Sequence, residues 1–221
     1  MQPRSFSDIV PGIVPDTGSA IGHQDNPLDK ETEKTIARAL ADGAFPLLHQ
    51  RAYSDRRLHG SAWTAKAKML SDFMDCKDGC LVGLVGPRGT GKTQMATVAS
   101  AEYQRKMIPH GIVGVARYAR AMEFFMSVKE AYSASTSERD AFEPFVRPRL
   151  LILDEVQVRN ESKWEDNALT YLVDARYGAC KRTILISNQT VEGFTESMGD
   201  SIMSRISESG GVILCNWKSY R

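Results

Sequence analysis

Apolar and polar positions follow two different periods along this chain. From about residue 62, apolar residues three and four apart predict helices over "AWTAKAKMLSDFM", the segment after Lys92, "RAMEFFMSVKEAY" and "NALTYLVDARYG". Between these lie short runs rich in Val, Ile and Leu: "LVGLV", "GIVGVARY", "LLILDEV", "TILISN" and "GVILCNW". Runs so short and so apolar predict strands buried on both faces, and such strands belong to a mostly parallel sheet covered by helices on both sides. The fold class is therefore α/β.

The beginning of the chain has neither period. The first 26 residues carry three prolines and three glycines and predict an irregular arm. "NPLDKETEKTIARALADG" then predicts one short amphipathic helix, with Asn26 or Asp29 as cap, Gly43 as stop, and Ile36 and Leu40 on one face. That apolar stripe suits docking to a partner protein and packing on the chain's own domain equally well. The expected division is residues 1–44, the arm and short helix, and residues 45–221, one larger domain.

Composition narrows the possibilities further. With 221 residues, 42% of them hydrophobic, the chain has enough apolar surface for a real core. No run of 18 apolar residues is present, and "MQPRSFSDIVPG" lacks the pattern of a secretion signal, so a cytoplasmic protein with no membrane partner is expected. The four cysteines are too few for a disulfide framework, and the three residues between Cys76 and Cys80 do not match the usual zinc hairpin. A formal charge of +1 gives no overall basic field, so nucleic-acid contact would need a local patch.

The strongest chemical signal is "GPRGTGKT", which spans Gly86, Pro87, Arg88, Gly89, Thr90, Gly91, Lys92 and Thr93. It matches a phosphate loop in full, with a strand expected before it and a helix after it. The glycines let backbone N–H groups turn toward phosphates, and the following helix adds its positive dipole end. Lys92 would reach the β and γ phosphates of ATP, while Thr93 would offer a hydroxyl to Mg²⁺. A second metal-side group is expected at the end of a neighbouring strand, and "LLILDEV" supplies Asp154 there. Glu155 is then the candidate base that polarises an attacking water, which favours hydrolysis over transfer to a second substrate. Asn188, at the end of "TILISN", could hold that water or the γ-phosphate, or serve only as a turn residue.

The stretch "LLILDEVQVRNESKWEDNALTYLVDARYGACKRTILISNQT", then "MGDSIMSRI" and "NWKSYR", resembles the DnaC helicase loaders of the AAA+ class. The resemblance runs from about Pro46 to the C-terminus and includes "PLLHQ" and "SAWTAKAKM"; the first 44 residues depart from the family's longer helicase-binding segment. It implies an AAA+ phosphate-loop ATPase that delivers a replicative hexameric helicase to DNA. By position it implies that Asn188 is a first sensor and Arg205 an arginine finger completing a neighbouring subunit's site, hence self-association. Arg221 is similar to the second sensor. The family's single-stranded DNA contacts fall on Tyr132, Ser162, Lys163 and Trp164; aromatic stacking and phosphate contact suit these residue types, with packing the alternative for Trp164 at the start of a helix.

Three other readings share the phosphate loop. A transposition helper ATPase of the IstB type has the same domain but acts with a transposase on duplex DNA. A small-molecule kinase would need an arginine-rich lid and a base aimed at an acceptor hydroxyl. A binding module with negligible turnover would use nucleotide only to set conformation.

Overall fold

The structure, a computed structural model, describes residues 27–52, 60–75, 79–133, 137–159 and 162–219. The N-terminal arm, Cys76 and Arg221 lie outside the described residues. Five strands, β1 (Leu81–Val85), β2 (Ala116–Arg120), β3 (Leu150–Asp154), β4 (Arg182–Ser187) and β5 (Gly211–Leu214), form one sheet in the order β2-β3-β4-β1-β5. Every neighbouring pair is parallel, as the continuous apolar runs require. All the strands therefore end on the same edge of the sheet.

Alternation along the strands sends side chains to two cores. On one face Val82, Leu84, Leu150, Ile152, Ile184 and Ile186 pack with residues of α1 (Pro27–Asp42), α3 (Ser61–Met74) and α4 (Lys92–Met107). On the other, Leu81, Val85, Leu151, Leu153 and Leu185 meet α5 (Ala121–Ser133), α6 (Glu138–Val146), α7 (Lys163–Gly178) and α8 (Val191–Ser209). A short helix, α2 (Leu47–Ala52), joins the first face. Ile36 and Leu40 are buried in the first core, so the stripe on α1 is occupied by the chain's own domain. Among the described residues, no helix is long and apolar enough to cross a membrane.

Two features depart from the sequence expectation. The strand expected over "GIVGVARY" begins only at Ala116, because Gly111 and Gly114 adopt left-handed φ values of 71° and 70° after a 3₁₀ turn at Ile108–His110. Helices α2, α6 and α8 were not expected at all; α6 starts at the Ser137 cap and carries an internal Pro144, and α8 kinks at Gly199.

Arg176 on α7 is fully buried, with no carboxylate partner among the described residues. Its guanidinium donates to Thr183 Oγ1 at 2.8 Å and to the carbonyls of Phe145, Val146, Pro148 and Arg182, so one side chain ties the end of α6 to the start of β4. Burial pushes this guanidinium down to about 9 from its ordinary value.

Candidate nucleotide-binding site

The phosphate loop leaves the end of β1 and enters α4, where the predicted strand and helix are found. Two of its glycines are structural necessities. Gly86 has a φ of 141°, and a Cβ on it would lie 2.2 Å from the carbonyl oxygen of Cys215. Gly91 caps α4 in the left-handed region, with a φ of 81°.

Lys92 is buried in the first turn of α4, and its ammonium donates to the carbonyls of Gly86 and Pro87 at 2.7 and 2.8 Å. Burial lowers its pKa, while Cys215 and Asp154 nearby oppose that shift. The lysine is thus folded over the loop beside the place its backbone encloses.

Asp154, at the end of β3, is buried and held by three donors. The Thr93 hydroxyl reaches Oδ2 at 2.8 Å, the Tyr118 hydroxyl reaches the same oxygen at 2.9 Å, and the Glu155 N–H reaches Oδ1 at 2.7 Å. The hydroxyl and the carboxylate are hard oxygen donors side by side, a set that fits Mg²⁺. Glu155 follows with a φ of 56°, rare for a residue other than glycine, and Val156 immediately bonds back to Ile186 on β4. The backbone thus turns sharply at the candidate base, as residues at reactive sites often do.

Asn188 follows β4 at the same edge, half-buried, with its N–H donating to Gln157 Oε1 at 3.2 Å. The structure brings the loop Gly86–Thr93, Asp154, Glu155 and Asn188 together at the C-terminal edge of the sheet, where parallel α/β folds hold ligands.

Several site residues carry no sequence signal on their own. Trp63 on α3 donates its indole N–H to the Gly91 carbonyl at 3.2 Å, and Trp217, after β5, donates to the Thr90 carbonyl at 3.0 Å. Two tryptophans, one before the loop in sequence and one well after it, therefore fix successive carbonyls of the loop. His49 on α2 pairs with Gln94 Oε1 at 2.9 Å. Tyr118 is visible only once β2 is known to pair with β3.

The remaining expected residues lie elsewhere. Arg205, on α8, pairs with Asp174 of α7 at 2.9 Å, bonds Ser201 at 2.7 Å, and sits over the Tyr177 ring. Ser162 caps α7 by accepting from the Glu165 N–H at 3.3 Å. Trp164 packs edge-on against Phe125 and Tyr132, with the Lys129 ammonium 4.7 Å above its ring. Lys163 is exposed beside it, and Tyr132 is 37% exposed. Trp164 thus packs between α5 and α7 and is half-buried, with Lys129 over its ring.

Comparison with known proteins agrees with this geometry. The chain is 25% identical over 183 residues to the replicative helicase loader DnaC of Escherichia coli strain K12, covering 81% of this chain and 72% of that protein. It superposes on the crystal structure of a DnaC helicase loader with a TM-score of 0.60 at 18% identity, covering 74% of this chain and 98% of that one. It also superposes on AMPPCP-bound DnaA from Aquifex aeolicus with a TM-score of 0.58 at 19% identity, covering 71% of this chain and 47% of that one. The chain therefore spans about half of that DnaA chain, and the shared feature is the AAA+ phosphate-loop fold. Residues 35–221 match the IstB-like ATP binding protein family, and the chain belongs to it.

Proposed function

We propose that this protein is an ATP-dependent helicase loader, which binds a replicative hexameric helicase and single-stranded DNA and whose nucleotide state controls loading and release. The observation that carries the reading is the constellation at the strand ends: Lys92 on the loop, Thr93 bonded to Asp154, and Glu155 next along the chain. Likeness to DnaC, a replicative helicase loader by name, supplies the partner.

In this reading the loop N–H groups and Lys92 bind the phosphates, and Thr93 and Asp154 hold Mg²⁺. When bound, MgATP supplies a γ-phosphoryl group whose transfer to water is favourable. Glu155 takes a proton from the attacking water, and Asn188 orients that water or the phosphoryl oxygens. Arg205 acts on the site of a neighbouring copy and stabilises charge there, an effect worth about 10³ to 10⁵ in rate in other nucleotide hydrolases. It would exchange its pair with Asp174 for that role. Arg221, by resemblance, is the second sensor. Tyr132, Ser162, Lys163 and Trp164 contact single-stranded DNA.

The IstB-type transposition helper is the second reading, favoured by the family's description. Size-exclusion chromatography with light scattering separates them. Co-migration with the replicative helicase of the same cell or host, with ATP present, supports the loader. No complex, together with intact duplex DNA binding, supports the transposition helper.

A further inference from the structure

Tyr118 is the one side chain on β2 that reaches the metal-side carboxylate, and its other bonds lead away from the site. Its hydroxyl donates to Asp154 Oδ2 at 2.9 Å. Its ring packs on Phe45 with centroids 5.8 Å apart. Its backbone N–H donates to the Gly43 carbonyl at 2.8 Å. Gly43 and Phe45 form the junction between α1 and α2, so a single residue links that junction to Asp154.

The fit at the junction is tight. β2 is an edge strand of the sheet, and the Gly43 carbonyl occupies one of its outward N–H groups. A Cβ on Gly43 would stand 2.5 Å from the carbonyl oxygen of Ala116, so nothing larger than glycine lets α1 approach the strand this closely. The ring of Tyr118 is buried, with Phe45 on one side and the carboxylate at its tip. Such a ring has little freedom to turn, and a shift of the junction moves the hydroxyl that holds Asp154.

We infer that Tyr118 is a positioning residue for Asp154, and that through it the α1–α2 junction sets how well the site holds Mg²⁺ with the nucleotide. The inference rests on the nucleotide reading above and adds a route by which the N-terminal segment reaches the site. Loss of the phenol leaves Asp154 with the Thr93 hydroxyl and the Glu155 N–H, so the carboxylate survives but swings more freely. Groups that orient a metal-side ligand in this way are typically worth about 10- to 100-fold in metal affinity.

The test is equilibrium binding of a fluorescent ATP analogue to the full chain, once with magnesium and once with EDTA. Tyr118→Phe keeps the ring on Phe45 and removes only the hydroxyl. The expected result is unchanged affinity in EDTA and a loss of roughly 10-fold in the tightening that magnesium brings. Gly43→Ala should reduce the same magnesium effect in the wild-type background and add nothing in the Tyr118→Phe background, because both act through one bond. Unaltered magnesium dependence in Tyr118→Phe overturns the inference, as does an equal loss with magnesium and with EDTA, which marks a purely structural residue. Fully additive effects of the two substitutions overturn the link to the junction. A wild-type chain that binds the analogue in neither condition overturns the nucleotide reading itself.

Discussion

The hydroxyl of Thr93 and the carboxylate of Asp154 are joined by a hydrogen bond of 2.8 Å across 61 residues of sequence. One group belongs to the first turn of α4 and the other to the end of β3, so the bond exists only because β3 lies near β1 in the sheet, with β4 between them. Asp154→Asn keeps the shape of this contact and removes the charge. Hydrolysis is expected to fall roughly 10- to 100-fold, with nucleotide affinity in EDTA unchanged. Steady-state phosphate release and equilibrium binding check the two halves separately; normal turnover would remove Asp154 from the metal side.

Glu155 occupies a left-handed backbone position immediately after that carboxylate. Glu155→Gln retains length and hydrogen bonding but cannot take a proton. It should bind ATP normally and hydrolyse it about 10² to 10⁴ times more slowly. A single-turnover assay with radiolabelled ATP reads this directly. If helicase loading persists in this variant, binding alone sets the conformation and turnover is incidental.

Arg205 tests self-association. Arg205→Ala should bind ATP normally and lose whatever rate gain appears at high protein concentration, up to about 10³-fold. The pair with Asp174 is partly exposed, so its loss should cost no more than about 1 kcal/mol of stability. Turnover measured across a dilution series distinguishes the two effects. A rate per chain that rises with concentration equally in both proteins would contradict the trans-acting role.

Two of the three tryptophans hold the phosphate loop, which gives the site an intrinsic optical signal. MgATP should change tryptophan emission, and the change should survive in Trp164→Phe. Trp217→Phe removes one hydrogen bond to the Thr90 carbonyl and should weaken ATP by about 1 kcal/mol, close to fivefold. An emission response lost only in Trp164→Phe would place the responding tryptophan away from the loop.

Arg176 predicts a stability effect remote from the chemistry. Arg176→Met fills most of the volume but leaves the acceptors at Phe145, Val146, Pro148, Thr183 and Arg182 without their donor. A loss of roughly 3–5 kcal/mol is expected in urea unfolding, with ATP affinity per folded chain unchanged. A loss below about 1 kcal/mol would mean that water replaces the guanidinium.

The sequence carried the parallel sheet and the phosphate loop because both are local signals. "LVGLV", "LLIL" and "ILI" are short apolar runs, and β1, β3 and β4 are buried along nearly their whole length. Helix α8 was hidden by its composition: five serines and two glycines interrupt "VEGFTESMGDSIMSRISES", and its apolar face becomes clear only when Phe194, Met198, Ile202 and Ile206 are seen in the core. Tyr118, Trp63 and Trp217 act through contacts between residues far apart in the chain. A tyrosine in the middle of a strand has no local mark that places its hydroxyl on Asp154. The sequence left Trp164 open between stacking on an unpaired base and packing, and the structure shows packing, against Phe125 and Tyr132.

The central claim is that the loop from Gly86 to Thr93 holds ATP. Isothermal titration of the wild-type chain and of Lys92→Ala with MgATP tests it most directly. The account predicts one nucleotide per wild-type chain and no detectable binding in Lys92→Ala, with both proteins folded by circular dichroism. Equal affinity in the two proteins would contradict the account, because the buried ammonium at the start of α4 would then have no part in holding phosphate.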